Sequence, residues 1–143
     1  STGTGIAPFA SLIKEPQTYE DYEQVILTHT CRYRIDLEYG KTLIEDLRKN
    51  SILTEIIGDK LIYYPTTTRE NSETKGRITD LIRNGKVFND LRIEKIKSHI
   101  DRVMVCGSIS LNTEFIGILE AFGLKQGSNS NPGDFVVEKA FVN

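Results

Sequence analysis

The sequence predicts an α/β protein with a doubly wound, mostly parallel sheet, Rossmann-like in layout. Three observations carry that expectation. Residues 24–29, 60–65 and 102–107 are short apolar runs with few charges inside them. Their near-continuous hydrophobicity suits strands buried on both faces better than the alternation of a half-wet sheet. Between them, residues 39–50 place Tyr39, Leu43 and Leu47 on one face of a helix, and residues 110–122 repeat Leu111, Phe115, Ile118 and Phe122 at helical spacing. Strands alternating with helices imply parallel crossovers, and such folds bind ligands beyond the carboxyl ends of their strands.

Taken in order, the first element is a loop, Thr2-Gly3-Thr4-Gly5-Ile6-Ala7-Pro8. Two closely spaced glycines let phosphates approach the backbone, and Pro8 has a preset φ and no N–H, so it can open a helix whose free amides face an anion. A dinucleotide pyrophosphate would fit there, although a glycine-rich segment before proline is also the signature of a plain turn. In a doubly wound fold a buried strand precedes such a loop. The first strand is therefore expected to be missing from the chain, which reads as a fragment, and some replacement pairing is expected beside the remaining strands.

The run at 24–29 leads into Thr28-His29-Thr30-Cys31-Arg32, and the run at 60–65 into Thr66-Thr67-Thr68-Arg69. Residues 70–76 are polar and read as a mobile loop that enters Arg77-Ile78-Thr79-Asp80. The run at 102–107 leads to Ser108; Ser110 is the expected N-cap of the last helix and Gly123 its C′ residue, with a turn-rich connection at 127–133.

With 143 residues and 38% hydrophobic content, the expectation is one domain, 1–143. A net charge of −2 with dispersed basic residues gives no electrostatic footprint for nucleic acid. No apolar run approaches the roughly 20 residues of a membrane span, so a soluble cytoplasmic protein is expected. Cys31 and Cys106 lie far apart without a CxxC, and His29 and His99 add no ligand cluster, so no metal is expected and both cysteines read as reduced, half-buried thiols.

The ordered set Gly3-Thr4-Gly5-Ile6-Ala7-Pro8-Phe9, His29-Thr30-Cys31-Arg32, Tyr63-Tyr64-Pro65-Thr66-Thr67-Thr68-Arg69-Glu70, Gly76-Arg77-Ile78-Thr79, Cys106-Gly107-Ser108 and the tail from Gly133 to Val142 closely resembles the NADP-binding half of bacterial ferredoxin (flavodoxin)–NADP reductases. The resemblance spans essentially the whole chain. It implies an NADP(H)-binding domain of an FAD-dependent enzyme that passes electrons between NADPH and ferredoxin or flavodoxin. It also implies an N-terminal FAD-binding β-barrel that this chain lacks, so the chain alone should neither bind FAD nor turn over.

By that resemblance, Gly3, Thr4, Gly5, Ile6, Ala7 and Pro8 look like the cradle of the pyrophosphate and nicotinamide end. Arg32, Thr68, Arg69 and Arg77 look like the adenosine end, where guanidinium groups would hold the 2′-phosphate dianion. Glu70, beside Arg69, could compete for it. Cys106, with Gly107 and Ser108, resembles the wall beside the nicotinamide, Glu138 the acid near hydride transfer, Ala140 the residue that covers the flavin ring, and Phe141 a tail residue stacking on the FAD adenine side. Ile109 departs from the proline expected after Cys-Gly-Ser, and Asn143 from the acid that often ends relatives. Two other readings remain: a reductase feeding an oxygenase or haem protein, and a non-catalytic nucleotide-binding module.

Overall fold

Strand β1 (Val25–Cys31) pairs in parallel with β2 (Leu61–Thr67), in a register that sets Leu27 against Tyr63, His29 against Pro65 and Cys31 against Thr67. The computed structural model describes residues 1–128 and 130–140, and the chain divides into two compact units, the first from Ser1 to Gly76 and the second beginning at Arg77. Both β1 and β2 run two residues beyond the expected apolar stretch, through Thr30-Cys31 and Thr66-Thr67. Threonine is β-branched and suits a pleated strand, and the paired Thr30 and Thr66 hydroxyls satisfy each other at 2.7 Å in full burial. On its other edge β1 meets Ser1 and Thr2: Thr30 N–H donates to Ser1 O at 3.0 Å, and Thr2 bridges Thr30 in parallel.

The first unit opens with a 3₁₀ turn (Gly3–Ile6) that runs into α1 (Ala7–Leu12) and then α2 (Pro16–Asp21), with Pro8 and Pro16 in their first turns. The crossover from β1 to β2 is made by α3 (Glu38–Lys49) and α4 (Ser51–Ile57). Asn50 separates them by capping α4, its Oδ1 accepting from Leu53 N–H at 3.1 Å. Leu43, Ile44 and Leu47 of α3 are buried, whereas Tyr39 at its start is exposed. The segment 70–76, expected to be a mobile loop, is tied back to the sheet through one residue. Thr67 N–H donates to Thr74 O, Gly76 N–H donates to Thr67 O, and the fully buried Thr67 hydroxyl donates to Glu70 O at 2.6 Å.

In the second unit, α5 (Ile78–Arg83) and α6 (Lys86–Leu91) precede β3 (Val103–Gly107), α7 (Ile109–Ala121) and β4 (Phe135–Lys139). Strands β3 and β4 are parallel, with Cys106 opposite Glu138. Helix α7 packs on both strands and on α5, burying Leu111, Phe115, Ile118 and Leu119. Its N-cap is Ser108 and not the expected Ser110: Ser108 Oγ accepts from Leu111 N–H at 3.3 Å, because the helix begins at once where strand β3 ends. Gly123, at φ +83°, follows its C-cap as expected. Among the described residues no helix is long and apolar enough to cross a membrane.

Candidate functional site

Every expected binding residue that lies in the first unit sits beyond the carboxyl ends of β1 and β2 or in the loop at the start of the chain. The parallel ladder continues past both strands, with Thr68 N–H donating to Cys31 O and Arg69 N–H to Arg32 O, each at 3.0 Å. This holds Arg32, Thr68 and Arg69 on adjacent backbones. Both guanidinium groups are exposed, and among the described residues neither has an ion-pair partner. Glu70 does not compete for Arg69. Its carboxylate takes Arg34 instead, accepting from the backbone N–H at 2.8 Å and from Nε at 3.0 Å, and these bonds hold its carboxyl below the ordinary range. A pair of unneutralised guanidinium groups is the donor set a phosphate dianion requires.

The glycine loop is narrower as an anion cradle than its sequence implies. It coils into a 3₁₀ turn, so Gly5 N–H closes on Thr2 O at 2.9 Å and Ala7 N–H closes on Thr4 O. The Gly3 amide is turned inward, toward Cys31 Sγ and the edge of β1, so the donors left at the start of the turn are the Thr4 amide and the exposed Thr4 hydroxyl. Gly3 stands at φ +50°, and a Cβ placed there would meet no atom within 4 Å. The surface above the loop is therefore open, and glycine is needed for the backbone angle rather than for internal space.

Beneath that loop lies a buried polar cluster that the sequence did not announce. His29 is 1% exposed; its Nδ1 lies 3.0 Å from Tyr63 Oη and its Nε2 lies 3.2 Å from Gly3 O and 3.2 Å from Cys31 Sγ. A carbonyl only accepts, so Nε2 carries the proton, Nδ1 accepts from the tyrosine hydroxyl, and Cys31 S–H turns to Asp36 O at 3.5 Å. One tautomer satisfies the whole set. Burial pushes the Cys31 and Tyr63 pKa values up and drives His29 down to about 4 from its ordinary 6.5. The charges at the Ser1 amino group and Asp36 act on His29 in opposite directions. A close Cys–His pair would elsewhere suggest a nucleophile, but here the histidine is the donor and the thiol stays protonated.

These shifts set a pH dependence. The neutral imidazole belongs to the folded state, while the unfolded chain binds a proton below pH 6.5. Stability is therefore intact above 6.5 and falls as the pH drops from 6.5 to about 4, by about 3 kcal/mol in all. Urea denaturation between pH 7 and 4 should show this slope, and His29→Gln should flatten it.

In the second unit, Arg77 is the N-cap residue of α5, and its guanidinium is paired with Glu114, which also takes Arg83 at 3.4 Å. The hydrogen bond from Arg77 holds the Glu114 carboxyl below the ordinary range. The structure also brings together Cys106, Gly107, Ser108, Glu138 and Ala140. Cys106 lies opposite Glu138 in the β3–β4 register, and Ala140 N–H donates to Gly107 O at 3.1 Å. Cys106 is buried, and burial first, then the Glu138 charge, pushes its thiol upward, so it stays a neutral thiol. Asn112, unremarked in the sequence, donates from Nδ2 to Glu138 O at 2.7 Å and so fixes the backbone that carries the acid. Its signal was available: a polar residue beside Leu111 and three before Phe115, on the buried side of α7. Phe141 lies outside the described residues. Both cysteines are free.

Parallel strands joined by helical crossovers, with a glycine turn and basic residues at the strand ends, define an α/β nucleotide-binding module. The sequence profile of the family described as oxidoreductase NAD-binding domain matches residues 1–114, and the chain belongs to that family. It is 52% identical over 142 residues to the flavodoxin/ferredoxin–NADP reductase of Rhodobacter capsulatus, covering 99% of this chain and 53% of that protein. It is 46% identical over 142 residues to ferredoxin–NADP reductase A of Sorangium cellulosum, covering 99% and 51%. The fold matches the crystal structure of a ferredoxin NADP+ reductase from Neisseria gonorrhoeae with bound FAD and NADP, at a TM-score of 0.82 and 24% identity, over 98% of this chain and 54% of that one. The chain thus spans about half the length of the proteins it matches.

Proposed function

We propose that this chain is the NADP(H)-binding part of an FAD-dependent ferredoxin or flavodoxin–NADP reductase. The observation that carries the proposal is that Arg32 and Arg69, both exposed, stand on adjacent backbones at the strand ends without an acid partner among the described residues. Arg32, Thr68 and Arg69 are the residues we assign to the adenosine 2′-phosphate; Arg77 carries the same expected role by the resemblance alone. Gly3, Thr4 and the turn that follows, through Gly5, Ile6, Ala7 and Pro8, receive the pyrophosphate. When bound, the coenzyme and the flavin exchange a hydride directly. The task left to Cys106, Gly107, Ser108, Glu138 and Ala140 is to hold the nicotinamide, keep water out and set a carboxylate near the reacting ring. FAD would be held by the remainder of a longer protein, as the names and lengths of the relatives support, with ferredoxin or flavodoxin as electron partner in the cytoplasm.

Glu114 tempers the affinity. It occupies Arg77 and must release it for that guanidinium to serve a phosphate. The ion pair is half exposed, and such pairs are worth about 0.2–1 kcal/mol, so Glu114→Gln should strengthen 2′-phosphate binding by about fivefold at most. Calorimetric titration with NADP+ reads this directly; a weakening would place Arg77 outside the binding residues.

The proposal is tested by replacing the matching 142 residues of the Rhodobacter capsulatus reductase with this chain. NADPH should reduce the flavin of the chimera far faster than NADH, and reduced flavin should pass electrons to ferredoxin or flavodoxin. A chimera that holds FAD but is not reduced by NADPH would leave only a nucleotide-binding module.

A further inference from the structure

We propose that His29 is a positioning residue for the coenzyme loop: held by Tyr63 on one side, it grips the Gly3 carbonyl on the other and fixes the turn in the form that leaves the Thr4 amide and hydroxyl for the coenzyme. The proposal rests on the reading of this loop as the pyrophosphate cradle. Gly3 sits in the left-handed region, where glycine is otherwise free to leave for many alternatives, so something must select the angle. Among the described residues its carbonyl is the one group of the turn that receives a side-chain donor, from the buried His29 through Nε2 at 3.2 Å. The ring is not free to let go. It stands on β1, within the sheet, and its other nitrogen is engaged by Tyr63 from β2 at 3.0 Å.

His29 and Tyr63 lie on one face of the β1–β2 pair, and α3 reaches that face at Gly40, where any Cβ would collide with the Tyr63 hydroxyl and lie 2.7 Å from His29 Nδ1. The packing of α3 is thereby linked to the loop through two side chains: α3 leaves room for the tyrosine hydroxyl, the hydroxyl fixes the imidazole tautomer, and the imidazole N–H fixes Gly3. The partner atoms assign each role. If Nδ1 carried the proton, Nε2 would face the Gly3 oxygen as acceptor against acceptor. Cys31 accompanies the clamp without being its agent, since its S–H is directed to Asp36 O.

The test compares NADP+ with adenosine 2′-phosphate, which lacks the pyrophosphate, on the full chain and its variants. His29→Ala should weaken NADP+ by about tenfold or more, the worth of one lost buried hydrogen bond, and leave adenosine 2′-phosphate within about twofold. His29→Gln, whose Nε2 can reach the same carbonyl, should recover most of the loss. Equal weakening of both ligands, or no recovery with Gln, would mean a merely structural histidine and overturn the proposal. Two measurements on binding-independent signals decide it even if the unsubstituted chain binds neither ligand, a result that would instead remove the coenzyme reading. Nitrogen NMR should show His29 protonated at Nε2, and the Gly5 amide, closed on Thr2 O, should exchange at least tenfold faster in Tyr63→Phe while the amides of β1 do not change. An Nδ1-protonated ring, or an unmoved Gly5 amide, would overturn it.

Discussion

Replacing Arg32 and Arg69 together by alanine is expected to lower the affinity of the chain for NADP+ by about a hundredfold or more, while NAD+ affinity stays within about twofold. The estimate follows from charge-assisted hydrogen bonds worth about 1.5–3 kcal/mol each, summed over two guanidinium groups that meet only the 2′-phosphate. Among the described residues neither arginine is spent on an acid. Glu70, the carboxylate nearest in sequence, is held by two donors of Arg34, and releasing Arg69 from competition is the structural consequence. Each single replacement should cost about tenfold. Lysine should recover only part at either position, since a point charge keeps the attraction but not the bidentate fork. Isothermal titration of the five variants against both coenzymes checks this; parallel loss of NAD+ and NADP+ would show that the arginines support the fold and not the phosphate.

Gly40→Ala is expected to lower stability by about 2–4 kcal/mol. Alanine normally stabilises a helix interior by roughly 0.5–1 kcal/mol over glycine, so the sign alone is informative. Here the added carbon would strike the Tyr63 hydroxyl, lie 2.7 Å from His29 Nδ1 and 3.0 Å from Tyr63 Cζ, with His29 buried, Tyr63 half-buried and both anchored in strands. The hydroxyl must move, which breaks its bond to His29 and leaves a buried acceptor without a partner, a further cost of about 1–3 kcal/mol included in that range. Adding Tyr63→Phe removes the worst collision and should recover about half of the loss. Urea denaturation at pH 7 measures both; a Gly40→Ala chain as stable as its parent would show that α3 can slide away without consequence.

Much of the fold was legible because burial and pattern agreed. The three apolar runs became β1, β2 and β3, and the stripe of Leu111, Phe115 and Ile118 became the buried face of α7. The order of glycine turn, Arg32, Thr68-Arg69 and Cys106-Gly107-Ser108 was legible too, since each follows the end of a strand or opens a helix. What escaped was whatever depends on contact between distant residues. Thr66 and Thr67 read as loop because their hydroxyls are polar, yet in strand β2 one is matched by Thr30 and the other holds residues 70–76 in place. Residues 136–139 read as a tail because their partner strand is some thirty residues earlier, and they form β4. Tyr39 had the right spacing but is exposed to water, and its neighbour Gly40 is the residue of that first turn that packs on the sheet. The clamp of Gly40, Tyr63, His29 and Gly3 is spread over four segments, and only the oddity of a glycine inside a helix hinted at it.

The central claim is that two free guanidinium groups at the strand ends select the coenzyme that carries a 2′-phosphate. Titrating the chain with 2′-phospho-AMP and with AMP under the same salt tests it most directly. The account predicts that 2′-phospho-AMP binds at least about tenfold more tightly, with an advantage that shrinks as ionic strength rises. Equal affinity for the two ligands would contradict it.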